Sequence, residues 1–218
     1  MKRIAIIVEG DSEAEFVKEL IMPYLWRQGI YDSILPVMIQ TSKGHRGGFA
    51  NYEHLKNDVR CLLSSKDQNL RVTTMVDFFR CPKNFPGMDE VKKLNSHLDQ
   101  VELLEKHFFE EINDSRFFPY IQLHEFEALL FSSNRGFERY LNKKESEKTK
   151  LIVEQYDNPE MINTTPQGAP SKRLLAISPS YDKVLQGNLC ALEVGIDRML
   201  EKCPRFRNWV ERIKKEFK

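Results

Sequence analysis

Carboxylates follow two apolar stretches of the sequence at the points where those stretches end. The apolar run 4–8 is followed at once by Glu9, and the β-branched stretch 70–76 is followed by Asp77. Mg²⁺ is commonly bound in proteins by one or two carboxylates, completed by water and phosphate oxygens. A carboxylate that ends a buried strand needs a partner, because burying an unpaired charge is costly. We therefore predict that Glu9 and Asp77 form a site for Mg²⁺ or Mn²⁺.

Glu13 follows this first strand end closely, with the permissive Gly10 between it and the apolar run. Ser12 and Glu15 match a capping box, which places Glu13 in the first turn of the next helix. There its carboxylate is either a second metal ligand or general base, or a charge that stabilises the helix N-terminus through the dipole. The residues alone leave both interpretations open, and we include Glu13 among the catalytic candidates.

A third acidic segment reads His124-Glu125-Phe126-Glu127 and follows the apolar stretch 117–123. Glu125 and Glu127 are candidates for completing the metal site. His124 is a ligand, a substrate contact, a proton carrier or an ordinary histidine at a strand end. The spacing differs from the HExxH pattern of zinc proteases, so we do not predict zinc.

Two basic segments would complement an acidic centre. The segment 41–49 (TSKGHRGGF) is expected to be a flexible loop, and 169–173 (APSKR) begins a predicted helix, where anions bind well. Each segment alone is explained by a solvated basic face, but beside an acidic metal site they predict a phosphodiester substrate. Lys172 would also offset charge in the transition state. The substrate-binding candidates are Lys43, Arg46, His124, Ser171, Lys172, Arg173 and Lys183.

The elements that must position these residues alternate between strands and helices, which predicts an α/β fold with a parallel sheet. Ligands bind beyond the carboxyl ends of the strands in such sheets. Pro36 favours an edge position for the second strand, and the apolar positions from Val91 to Phe108 predict one long helix. We expect a mostly parallel sheet of about four strands flanked by helices, with strands at 3–8, 34–39, 70–76 and 117–123.

The sheet pattern fades after about residue 134. We expect residues 1–133 to form the α/β core and residues 134–218 to form a helical C-terminal cap packed on it, the two making one structural unit. The stretch 157–182, rich in Pro, Asn, Thr and Ser, is expected to be long and irregular.

The composition limits the classes of function. The 218 residues include 33 Lys and Arg against 32 Asp and Glu, a net charge of +1, which excludes a generally cationic nucleic-acid binder but not local basic patches. The four cysteines form no CxxC pair, which fits a reducing cytoplasm. The first apolar run is too short for a signal peptide or a membrane span, so we expect no membrane partner. The sequence gives no indication of oligomeric state.

Several longer segments carry a family resemblance. IVEGDSE, VDFFRCPKNFPG, PYIQLHEFEALLF, APSKRLL, YDK and KCPRFRNWV together are similar to the bacterial domain of unknown function 4276 family. More broadly, Glu9-Gly10-x-x-Glu13 after a first strand, followed by a third strand ending in Asp77, resembles the Toprim domain. That domain is the Mg²⁺-binding fold of topoisomerases, primases, recombination-repair proteins and overcoming-lysogenisation-type nucleases.

The resemblance implies a Toprim-like core and a partner ATPase in a phage-defence-type system. One departure from the Toprim pattern is that its Asp-x-Asp motif reads Asp77-Phe78-Phe79 here, so Glu125 or Glu127 would have to replace the second acid. The leading hypothesis is a Mg²⁺-dependent nuclease acting on DNA or RNA. The alternative is a non-catalytic Toprim-like partner or nucleic-acid-binding subunit. A third is a nucleotidyl or phosphoryl transferase, although the sequence contains no Walker P-loop and no Rossmann glycine motif after its first strand.

Overall fold

The computed structural model describes residues 2–42, 45–79, 81–162 and 168–218. Their contacts form two compact units: the first comprises Met1–Ala14, Ile30–Leu123 and Glu216–Lys218, and the second comprises Glu15–Gly29 and His124–Lys215. The expected boundary at residue 133 stays a prediction, and the second unit takes in a segment from early in the chain. One reason is that Phe16 packs against Phe126 and Phe206, with ring centroids 5.0 and 5.8 Å apart, so an early helix belongs with the later chain.

The strands and helices are as follows, in chain order. The strands are β1 (Arg3–Val8), β2 (Ser33–Met38), β3 (Gln40–Ser42), β4 (His45–Arg46), β5 (Leu70–Asp77), β6 (Phe117–Phe118) and β7 (Ile121–Gln122). The α-helices are α1 (Asp11–Phe16), α2 (Met22–Arg27), α3 (Tyr52–Leu63), α4 (Met88–Val91), α5 (His97–Ile112), α6 (Arg135–Tyr140), α7 (Lys143–Gln155), α8 (Pro170–Ile177), α9 (Leu185–Val194), α10 (Ile196–Lys202) and α11 (Pro204–Phe217). A π-helical turn covers Val17–Ile21, and 3₁₀ turns cover Phe126–Ser132 and Pro159–Met161.

The main sheet of the first unit has the strand order β2-β1-β5-β6, and β7 also pairs with β5. Every pairing in it is parallel, which confirms the predicted mostly parallel sheet. The strand that contains Pro36 is at the edge, as its missing N–H requires. The predicted fourth strand, 117–123, is divided into β6 and β7, with Pro119 between them. At this break the hydroxyls of Thr73 and Thr74 donate to the backbone carbonyls of Phe118 and Tyr120.

An aromatic cluster fills one side of this sheet. Tyr52 of α3 lies with its ring centroid 4.7 Å from that of Phe85 and 5.3 Å from that of Phe108, and Phe108 lies 4.8 Å from Phe117. The long helix expected from Val91 is interrupted, because α4 ends there and α5 begins anew after Ser96. The hydroxyl oxygen of Ser96 accepts from the N–H of the third helical residue. An N-terminal cap of this kind marks a separate helix start.

The second unit is built from helices, as expected for most of the C-terminal chain. Its helices α6 and α9 pack closely at Gly136, where an added Cβ would lie 2.6 Å from the carbonyl oxygen of Cys190. Helices α9 and α10 are separated at Gly195, which has a φ of +78°. Within the described ranges, no helix combines the length and apolarity that crossing a membrane requires.

Candidate functional site

Glu9 and Asp77 lie at the same edge of the sheet. The strands β1 and β5 are neighbours, and their register pairs Val8 with Met75, so Glu9 and Asp77 both follow at the carboxyl ends. Asp77 is 6% exposed, and Glu9 is half-buried. The strand ends thus place at one sheet edge the two acidic residues that the sequence singled out.

The carboxylate of Glu13 holds the turn between β1 and α1. Its Oε2 accepts a hydrogen bond of 3.1 Å from the backbone N–H of Gly10, and the residue is 2% exposed. Gly10 is therefore the residue at the helix start, and the capping box predicted for Ser12 and Glu15 is wrong. The helix begins two residues earlier than the pattern indicated, with Glu13 as its third residue bonding back to the Gly10 N–H.

The basic segment 41–49 contains ordered structure against this strand end. Its described part includes the antiparallel pair β3 and β4, so the expectation of a flexible loop is wrong there. Gly47 and Gly48 follow with φ of +96° and +87°, and the Gly48 N–H donates to the Glu9 carbonyl over 2.8 Å. Arg46 is exposed in β4. Lys43, the other predicted substrate contact of this segment, lies outside the described residues.

The sequence reasoning missed Cys81, which lies within the electrostatic influence of Glu9. Burial, reinforced by the charge of Glu9, raises the pKa of the Cys81 thiol to about 12. Its position shortly after Asp77 was the available signal. At neutral pH this thiol is protonated and contributes no charge to the strand-end region.

In the second unit, Glu125 and Ser171 bind each other. Oε2 of Glu125 accepts from the Ser171 backbone N–H over 2.8 Å, and Oε1 accepts from the Ser171 hydroxyl over 2.8 Å. Ser171 is in the first turn of α8, where a carboxylate satisfies a helix N–H group and interacts favourably with the helix dipole. A predicted metal ligand and a predicted substrate contact therefore form a helix cap.

Glu127 is fully buried and faces a cation. Its Oε2 lies 3.6 Å from Nζ of Lys183, whose side chain is 38% exposed. Burial, together with the charge of Glu127, raises the pKa of Tyr181, which stays a neutral phenol. Lys183 is thus placed beside an acid of its own unit.

The remaining predicted contacts of the second unit differ in exposure. His124 is 2% exposed and has a φ of +69°, an uncommon conformation for a residue other than glycine. Lys172 is exposed on α8. Arg173 donates from Nε to the Gly168 carbonyl over 2.7 Å, and its guanidinium lies 5.8 Å from the ring centroid of Tyr156.

Sequence reasoning also missed Glu160, a second buried carboxylate at a helix start. It accepts from the backbone N–H groups of Arg205 and Phe206 over 2.9 and 3.0 Å, in the first turn of α11. Burial raises the pKa of Glu160, and the two backbone hydrogen bonds oppose that rise. The second unit therefore uses an internal carboxylate at the start of both α8 and α11.

Glu9 and Asp77 are the residues of the first unit that would hold a magnesium ion, and their role as its ligands stays a prediction. Glu9 and Asp77 offer two carboxylates at one sheet edge, which is the number that Mg²⁺ takes from proteins when water and phosphate complete its octahedron. No group of three or more His, Cys, Asp or Glu side chains is arranged to hold a metal ion in the part of the chain that the structure describes. Glu125 and Glu127 belong to the second unit, and their role as ligands stays a prediction.

Fold and site together define an α/β protein whose parallel sheet carries carboxylates at the ends of two neighbouring strands. The chain belongs to the family described as Domain of unknown function (DUF4276), which it matches over residues 8–214. This match confirms the family that the sequence motifs resembled. No curated protein and no solved structure matches the chain.

Proposed function

We propose that the first unit is a Mg²⁺-dependent phosphodiesterase centre and that the protein is a nuclease acting on DNA or RNA. The observation that supports this most is the register of β1 and β5, which carries Glu9 and Asp77 to one sheet edge. Asp77 is 6% exposed there. A cation bound at this edge would stabilise the charged form of so deeply buried a carboxylate, because desolvation disfavours that form.

Each residue of the first unit has a role in this proposal. Glu9 and Asp77 would hold the ion, which would activate water and neutralise charge on the scissile phosphate. Glu13 fixes the turn through the Gly10 N–H, so that Glu9 is held where its strand ends. The side-chain-free pair Gly47–Gly48 lies against the Glu9 backbone, which leaves room for a substrate at the strand end. Arg46, exposed in the neighbouring β4, would contact substrate phosphate.

The wider proposal follows the family resemblance. The core would be Toprim-like, and the protein would act in the bacterial cytoplasm with a partner ATPase in antiviral defence. Lys172, exposed at the first turn of α8, would contact nucleic acid.

A second candidate function is a non-catalytic nucleic-acid-binding or partner subunit. Two observations favour it. Phe79 stands where Toprim enzymes have their second acid, and the proposed replacement Glu125 has both oxygens bonded to Ser171. A protein of this kind would bind nucleic acid without cleaving it.

The test is cleavage of labelled single-stranded DNA, duplex DNA and RNA by the purified chain with Mg²⁺ or Mn²⁺. We compare the wild type with Glu9→Gln, Asp77→Asn and the control Asp89→Asn, whose side chain is 95% exposed. The nuclease proposal predicts activity that is lost in the first two variants and kept in the control. Equal cleavage by all four proteins would contradict it. Substrate binding without cleavage by the wild type would favour the second candidate.

A further inference from the structure

The first unit contains a cavity of about 310 Å³ at the amino-terminal edge of its sheet, away from the strand ends that carry Glu9 and Asp77. This volume lies in the range of small-molecule sites in proteins. The cavity is formed by the first residues of β1, by β2 and by the last turn of α3. Its lining includes Arg3, Ala5, Ser33, Leu35, Cys61 and Leu62.

The cavity exists because α3 leaves the edge strand uncovered. Ala5 pairs with Val72 on one side and with Leu35 on the other. Ala5 and Val72 are buried in the same apolar cluster as Val59 of α3, whereas Leu35 is 56% exposed. The small side chain of Ala5 then leaves space between Leu35 and Leu62. A space of this size, lined by both apolar and polar side chains, is of the kind that holds small ligands.

One side of the cavity carries a guanidinium with spare donors. Arg3 bonds through one nitrogen to the carboxylate of Asp67, and its side chain is 52% exposed. A guanidinium has five N–H donors, and the structure shows no other side-chain hydrogen bond from Arg3 among the described residues. Two parallel N–H groups of arginine match the two oxygens of a carboxylate. Because the carboxylate of Asp67 already balances part of the positive charge of Arg3, this arrangement suits a ligand with one negative charge better than one with several.

We propose that this cavity binds a small free organic monocarboxylate with an unbranched apolar chain. The chain would lie on Leu35, Ala5 and Leu62, and the carboxylate would bind Arg3. The pocket volume of about 310 Å³ lies at the small end of the range of small-molecule sites, so a small ligand suits it. Octanoate is the probe. The inference rests on this cavity alone and is independent of the proposed nuclease function.

Cys61 supplies the readout, because it lines the cavity and is exposed. The full chain is alkylated with iodoacetamide in the presence of increasing octanoate, octanol or octylamine, and modification of Cys61 is followed by peptide mapping. Octanoate is expected to protect Cys61 saturably. Half-maximal protection should occur at a concentration on the order of 1 mM, which corresponds to the affinity that a ligand of this size reaches. Binding of octanoate to Cys61→Ser, measured by calorimetry, checks that protection reflects occupancy.

Two variants separate the parts of the proposal. Arg3→Gln is expected to weaken the binding of octanoate about tenfold, because one charge-assisted contact is lost, and to leave the binding of octanol unchanged. Leu35→Trp places a larger side chain in the cavity from an exposed position, and it is expected to abolish the protection of Cys61 by octanoate and by octanol. Absence of saturable protection up to about 10 mM octanoate in the folded wild type would overturn the proposal. So would equal affinity for octanoate and octanol with no effect of Arg3→Gln, since the cavity would then lack a carboxylate site.

Discussion

The paired oxygens of Glu125 predict a large stability loss when that side chain is removed. Glu125→Ala deletes two hydrogen bonds of 2.8 Å to Ser171 and leaves a helix N–H of α8 without its acceptor. Hydrogen bonds to a charged group contribute about 1.5–3 kcal/mol each, and loss of a helix cap costs about 1 kcal/mol. Because such contributions overlap, we expect Glu125→Ala to reduce the free energy of unfolding of the second unit by about 3 kcal/mol.

Ser171→Ala separates the two bonds, since it removes the hydroxyl and keeps the backbone N–H. We expect a loss of about 1.5 kcal/mol for this variant. In Glu125→Ala the hydroxyl has already lost its acceptor, so adding Ser171→Ala should cost little more. The expected coupling energy in the double-mutant cycle is therefore about 1.5 kcal/mol.

Tryptophan fluorescence during urea unfolding is the assay. Both tryptophans of the chain, Trp26 and Trp209, lie in the second unit, so the signal reports on that unit. Glu154→Ala is the matched control, because Glu154 is 59% exposed and its ion pair with Lys150 is a surface contact worth under about 0.5 kcal/mol. A loss below about 1 kcal/mol for Glu125→Ala, or full additivity with Ser171→Ala, would refute the reasoning.

Three further predictions concern thiols, packing and pH. At pH 8, the exposed Cys61 should be alkylated readily, whereas Cys81 should react far more slowly, because burial raises the pKa of the Cys81 thiol to about 12 and leaves little thiolate. Peptide mapping measures both rates. Gly136→Ala should destabilise the second unit by about 1–3 kcal/mol in the same urea assay, because the new Cβ meets the Cys190 backbone at 2.6 Å. Burial raises the pKa of Glu160 above its ordinary 4.5, so the folded state binds the proton more tightly. The stability advantage of the wild type over Glu160→Gln should then fall as pH rises through and above that ordinary value.

Each of these outcomes has a clear opposite. Similar alkylation rates for Cys61 and Cys81 in the folded protein would contradict the raised pKa of the Cys81 thiol. An unchanged free energy of unfolding in Gly136→Ala would mean that α6 and α9 can move apart without loss of stability. An advantage of wild type over Glu160→Gln that grows with pH would show that the backbone hydrogen bonds, rather than burial, dominate the pKa of Glu160.

The sheet could be predicted because its signals are local. The run 4–8 and the stretch 70–76 are continuous and apolar, as expected for strands buried on both faces, and each became a strand of the parallel sheet. Parallel pairing then carried Glu9 and Asp77 to one edge without further information. The position of Pro36 at the edge followed from its missing N–H.

Other features depended on contacts that sequence patterns do not contain. Apolar spacing continued past Val91, so the periodicity could not show that the chain stops and caps a new helix at Ser96. Glu125 and Ser171 are 46 residues apart in sequence, and only the folded second unit shows that they bind each other. The segment 41–49 was expected to be flexible, but the N–H groups of Gly47 and Gly48 donate to the carbonyls of Ile39 and Glu9.

The central claim, a divalent-cation site at Glu9 and Asp77, is tested most directly by calorimetric titration of Mn²⁺ into the full chain. We predict one saturable site in the wild type and in Asp89→Asn. In Asp77→Asn the affinity should fall by about tenfold or more, because a buried carboxylate ligand at the end of β5 is lost. Identical isotherms for the wild type and Asp77→Asn would contradict the account, as would the absence of binding at about 10 mM Mn²⁺.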